Sequence, residues 1–134
     1  MSGFGCRTHR SAGVASIFLA FLSYGVQASA QQPTQEQAAA QQLELEIHVE
    51  ELRAALTPAA KAENAFAWAM DEIMLGNKLR KLGEFDEGAV RLNQAEQAYQ
   101  AAVEALPCDT FITLCGGVRA SLEEVAALIK QRGK

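Results

Sequence analysis

Histidine is scarce in this chain. There are 2 in 134 residues, and one of them, His9, lies in the N-terminal stretch described below. A Ser-His-Asp set needs a histidine placed among partners, and His48 alone offers no credible one. Zinc sites need several His or Cys ligands, which are also lacking. No glycine-rich phosphate loop is present, because Gly116-Gly117 lacks the required spacing. No Cys-x-x-Cys redox pair occurs. No stretch alternates apolar and polar residues long enough to read as a strand. Positive charge is short as well: 12 Lys and Arg face 16 Asp and Glu, for a net charge of −4. An acidic chain repels phosphate backbones, which argues against nucleic-acid binding. No basic amphipathic face suited to anionic lipid is evident.

What is present begins at the N-terminus. Arg7 and Arg10 precede an apolar run, Val14-Ala15-Ser16-Ile17-Phe18-Leu19-Ala20-Phe21-Leu22, and Ala28-Ser29-Ala30 follows. This order is that of a secretory signal peptide, residues 1–30, with the working chain starting near Gln31. The run is shorter than the ~20 apolar residues that span a bilayer. No stable membrane anchor is expected after cleavage. The remaining 104 residues suffice for one small domain. They keep ten Lys and Arg against sixteen Asp and Glu, a net of −6. Cys108 and Cys115 remain as an even pair, which in an oxidising compartment reads as a disulfide. A periplasmic or secreted location is expected.

The domain reads as all-α, with three long helices and a shorter C-terminal one. Residues 31–42, QQPTQEQAAAQQ, read as a flexible Gln/Ala-rich leader, and residues 43–134 as the helical domain. Leu45, Val49, Leu52 and Leu56 form the stripe of a first helix from Leu43. Thr57-Pro58 starts a second, expected to run to about Leu82. It carries one stripe of Phe66, Ala69, Met70 and Ile73 and another of Trp68, Leu75, Leu79 and Leu82. Gly83 is read as its stop, and Asp86 as the cap of a third helix over 87–106. Leu92, Ala95, Tyr99, Ala102 and Leu106 line that helix, and Pro107 closes it. Residues 107–117 are expected to form a cysteine-bracketed turn, broken by Gly116-Gly117. Ser121 and Glu124 read as a capping box for a last helix, Leu122 to about Arg132.

The stretch LGNKLRKLGEFDEGAVRLNQAEQAYQAAVEALP resembles a tetratricopeptide repeat. Leu75-Gly76, Leu79 and Gly83 match its first helix; Ala95, Tyr99 and Ala102 match its second; Pro107 follows where the repeat ends. Trp68-Ala69-Met70 looks like the lead-in of a longer bacterial variant. The sequence departs from the ~34-residue unit by about seven extra residues, and it shows one clear copy where stacks need about three. The resemblance implies antiparallel helical hairpins that bind a peptide or protein partner, without catalysis and without a cofactor. Gly76 would let the helices approach, and Tyr99 would fill the gap between Ala95 and Ala102. Trp68 is expected between helices.

Asn77, Lys78 and Lys81 are the polar positions on the first helix of the hairpin that a partner would meet. Lys78, Arg80 and Lys81 equally suit a helix C-terminus, where the macrodipole favours positive charge. Glu44, His48 and Glu51 share one helix face, but one histidine with two solvated glutamates favours ion pairing over metal binding. Glu84, Asp86 and Glu87 lack the ligand spacing of a calcium loop. The expected function is an exported adaptor, assembly or accessory subunit, and not an enzyme. Two alternatives stand beside it. One is self-association through the Leu45–Leu56 stripe, giving a homodimer. The other is carriage of a small apolar ligand between helices.

Overall fold

Periodic apolar stripes become five helices in the computed structural model, which describes residues 32–133. The signal-peptide reading of residues 1–30 lies outside the described residues. The helices are α1 (Gln35–Ala55), α2 (Pro58–Glu63), α3 (Ala65–Phe85), α4 (Val90–Ala105) and α5 (Ile112–Arg132). No strand occurs among the described residues. The fold is all-α.

α1 starts at Gln35, eight residues before Leu43, and so takes in most of the Gln/Ala-rich stretch. The cause is a capping box. The Thr34 hydroxyl accepts from the Gln37 amide, and the Gln37 side chain accepts from the Thr34 amide. Thr57 and Pro58 begin a helix as expected, but it lasts only six residues. Asn64 breaks it: its extended backbone ends α2, and its side chain accepts from the Ala67 amide to start α3.

Three further boundaries differ from the sequence expectation. Gly83 does not stop α3, which continues to Phe85 with Asp86 at its C-cap. Asp86 therefore caps no helix N-terminus; α4 begins four residues later behind Ala89. Gly116 and Gly117 do not break the chain but lie inside α5, a helix of 21 residues. Ser121 is mid-helix, and its hydroxyl donates to the Gly117 carbonyl at 3.2 Å rather than capping anything. The short helix is thus α2, not the C-terminal one. Residues 107–111 form the remaining turn, where the Pro107 carbonyl accepts from the Thr110 and Phe111 amides.

α1 packs on α3, α3 on α4, and α4 on α5, while α2 leans on α3. α1 and α5 share no comparable interface among the described residues. The helices therefore form an open, sequential array and not a closed bundle. Within the central hairpin, Gly76 faces Tyr99 and Gly83 faces Leu92. Seven residues forward on α3 is seven back on α4, so the pair is antiparallel and keeps one interlocking face over two turns.

Tyr99, Leu79, Leu82, Leu92, Val49 and Val125 fill the main core, all at 0–1% exposure. Leu45, Leu52 and Leu56 pack against it from α1. Of that stripe Val49 is buried by the chain itself, and Leu45, Leu52 and Leu56 are half-buried. Ala69, Ala102, Leu106 and Cys115 make a second cluster at the other end of the hairpin. The Cys108 and Cys115 sulfurs stand at disulfide distance, 2.06 Å, with Cα atoms 5.7 Å apart. The bond ties the 107–111 turn to the first turn of α5. Phe111 stacks on Phe66 beside it, with ring centroids 4.9 Å apart.

Candidate functional site

α3 is the helix around which the candidate sites are built. Its inner face is buried through Leu75, Gly76, Leu79 and Gly83. Its outward residues Met74, Asn77 and Lys81 are exposed, and Lys78 is half-buried. A Cβ built on Gly76 would meet the Tyr99 ring at 2.7 Å, and one on Gly83 would meet Leu92 at 2.6 Å. Side chains at either position would push α4 away. The repeat-motif residues Leu75, Gly76, Leu79, Gly83, Ala95, Tyr99 and Ala102 are thus brought together at the crossing. Gly83 serves there by close approach, not as a stop.

Two of the sequence-picked residues lie elsewhere. Pro107 is exposed at the turn after α4. Trp68 is half-buried, and its ring lies beneath the Lys61 ammonium of α2, 4.3 Å from the centroid. Trp68 Nε1 is buried without a hydrogen-bond partner.

The Tyr99 hydroxyl donates to Asn77 Oδ1 at 2.7 Å. Burial pushes the Tyr99 pKa up, with the nearby Arg80 charge pulling the other way. The bond fixes Asn77 from within the core. Arg80 is engaged with Glu124 of α5 at 2.8 Å. Lys78 and Lys81 make no ion pair among the described residues.

Lys78 borders three adjoining depressions. One, of about 340 Å³, lies between α1 and α3 and includes Glu44, Leu45, His48, Lys81 and Phe85. A second, about 290 Å³, includes His48, Glu51, Leu52, Asp71 and Met74. A third, about 280 Å³, runs along α3 past Met74, Asn77 and Arg80. Glu44 and Glu51 open onto different depressions, with His48 between them. No group of three His, Cys, Asp or Glu side chains among the described residues could hold a metal ion. Glu84 lines the first depression, while Asp86 pairs with Arg91 at 3.7 Å.

A further cleft, about 400 Å³, opens between α1 and α4 above α3. Leu75, Leu79, Ala98 and Ala101 give it apolar walls; Arg53, Glu72, Gln94 and Gln97 give it polar groups. Glu72 is only 9% exposed, the one charged residue in the interior among the described residues. It makes no hydrogen bond or ion pair there. Burial raises its pKa above the ordinary value of 4.5, Lys61 lowers it in part, and Asp71 adds to the rise. Sequence reasoning missed Glu72. The one available signal was a glutamate at the step between Ala69 and Leu75, on the buried stripe.

Compared with known protein families, characterised proteins and solved structures, the chain finds no match.

Proposed function

We propose that this protein is an exported helical interaction module that binds a protein or peptide partner along α3, as an adaptor or accessory subunit. The reading is carried by the face of α3 that no other described residue covers: Lys78 and Lys81 without counter-ions among the described residues, Asn77 held in place by Tyr99, and three depressions meeting at Lys78. Unpaired lysines beside Met74 and Phe85 suit a partner segment that carries both carboxylates and apolar side chains. The glycine-and-alanine crossing of α3 with α4, and the open array, support the likeness to a tetratricopeptide hairpin. The basic start, apolar run and small-residue end of residues 1–30 support export, as does the paired Cys108 and Cys115.

The test places a photo-crosslinking residue at position 78 in the full chain, expressed in its native host, with position 130 as the control. A discrete adduct at 78, absent at 130 and lost when K81E is added, is the expected result. No adduct at 78, or equal adducts at both positions, overturns the reading. The N-terminal residue of the recovered chain tests export separately: a start near Gln31 is expected, and a chain beginning at Met1 overturns that part.

A further inference from the structure

α1 and α5 are the terminal helices of the array, packed on opposite sides of the central hairpin. The end helices of a linear helical array keep a polar outer face when nothing further stacks on them. Neither helix does so here. On α1, Leu43 is 60% exposed and Ile47 is 52% exposed. They lie about 170° around the helix from the stripe that buries Val49, and Ala40 and Ala54 continue their line. On α5, Ile112 is 72% exposed. Gly116, Ala120 and Ala127 extend from it along the face opposite Cys115, Val118 and Val125. Exposed apolar residues grouped in this way mark an interaction surface.

Shape and charge select the occupant. The α1 face projects two branched side chains, whereas a Cβ built on Gly116 of the α5 face meets only open space. Large residues of one helix seated over small residues of another let the two axes come close. The α1 face is edged by Glu36, Glu50 and Glu51, so two copies of it repel each other. The α5 face carries Arg119 and Lys130 against Glu123, and neither cation is ion-paired among the described residues. Opposite character at the two ends favours a head-to-tail contact over a two-fold one. We propose that a second copy of this chain occupies the α5 face, seating Leu43 and Ile47 of its α1 over Gly116 and Ala120 and extending the helical array from copy to copy. This contact stands apart from the adaptor reading, which rests on α3. A single helix face falls short of the ~800 Å² per partner of a standard interface, so association is weak and is read at up to ~1 mM chain.

Sedimentation equilibrium on the purified chain, with its disulfide formed, tests this with two variants. Ile47→Glu blocks the α1 face and leaves the α5 face; Ala120→Glu does the reverse. Both positions are exposed and mid-helix. Leu43→Glu repeats the α1 block one turn away should Ile47→Glu alter the helix. The parent is expected to gain mass with concentration past the dimer, because a head-to-tail contact does not stop at two copies. Each variant alone should stay monomeric. Their equimolar mixture should form a dimer and nothing larger, since one chain then offers only α5 and the other only α1. A parent that stays monomeric, a variant that assembles alone as the parent does, or a mixture that stays monomeric overturns the proposal. A parent that stops at the dimer, with Ala120→Glu still dimeric, also overturns it and assigns two-fold pairing of α1 instead.

Discussion

Gly76 and Tyr99 contend for one space: a Cβ on residue 76 falls 2.7 Å from Cε1 and 2.8 Å from Cδ1 of the tyrosine ring. Tyr99 is fully buried and its hydroxyl is anchored on Asn77, so the ring has little room to retreat. Gly76→Ala gains about 1 kcal/mol of helix propensity but overpacks the crossing by about 1–3 kcal/mol. A net loss is expected, with Tm lower by about 5 °C. Tyr99→Leu removes the ring, and in that background Gly76→Ala should cost at least about 1 kcal/mol less. Denaturant melts of the four-member cycle measure this coupling; additivity would refute the contact.

The same substitution has the opposite sign in α5. A Cβ on Gly116 or Gly117 meets nothing within 4 Å, and both residues are exposed inside a helix. Each change to Ala should add about 0.5–1 kcal/mol by restricting the unfolded chain and favouring the helix. Thermal melts of the two single variants would show Tm rising by a few degrees, against the fall at Gly76.

These three glycines show where the sequence was informative. Leu45, Val49, Leu52 and Leu56 repeat at helical spacing, and so do Leu92, Ala95, Tyr99 and Ala102, because burial on one face imposes that period. Gly76 was readable through the resemblance to a tetratricopeptide hairpin, which implies a close approach there, and the 2.7 Å from a Cβ to the Tyr99 ring agrees. Gly116 and Gly117 were misread as breakers. Their propensity cost is about 1 kcal/mol each, less than α5 gains by burying Cys115, Val118 and Val125 against α4. The helix expected from Pro58 to about Leu82 missed the break at Asn64 for the reverse reason: one side-chain bond to the Ala67 amide outweighs a continuous apolar pattern. Lys78 and Lys81 were legible as polar positions on the outer side of α3, but the burial of Glu72 was not. Its step between Ala69 and Leu75 was the one local signal, and the burial itself follows from the placement of α1 and α4 around α3.

Glu72 gives stability a pH dependence whose sign follows from its environment. Burial holds its carboxyl protonated to higher pH in the folded chain than in the unfolded one. Between the ordinary 4.5 and that raised value, the folded state binds more protons. Its contribution is therefore present below 4.5 and is lost as pH rises through the raised value. Glu72→Gln carries no such charge. Its Tm should exceed that of the parent at pH 7, and the difference should vanish at pH 4 and below. A difference constant with pH would refute burial of the charged form.

The Cys108–Cys115 bond closes a loop across a separation of seven residues. The chain-entropy relation gives about 2.5 kcal/mol for so short a loop. Cys115 is also packed at 1% exposure against Ala69, Ala102 and Leu106. The double variant Cys108→Ala, Cys115→Ala loses both the crosslink and the sulfur packing. It should melt at least about 10 °C lower. Reduction of the parent with a thiol should reproduce most of that drop, since it leaves the side-chain volumes nearly unchanged. A reduced parent that melts with the oxidised one would show that the bond does not constrain the chain.

Arg132 joins the last turn of α5 to the far end of the central hairpin. Its Nη1 donates to the carbonyls of Gly83 and Asp86, and to that of Gly88 at 3.0 Å. These three oxygens belong to the C-terminal end of α3 and the connection into α4. One guanidinium therefore satisfies a corner that the local sequence leaves open. Hydrogen bonds from a charged donor contribute about 1.5–3 kcal/mol in total when partly buried, so Arg132→Ala should lower stability by about 2 kcal/mol. Arg132→Lys keeps the charge and a single donor nitrogen but is one bond shorter, and should recover part of the loss. Amide hydrogen exchange locates the effect: protection should fall at Gly88 through Arg91 and at the C-terminal turn of α3, while the Cys108–Cys115 end stays unchanged. Uniform loss of protection across the chain would instead assign Arg132 a global role and refute a local clasp.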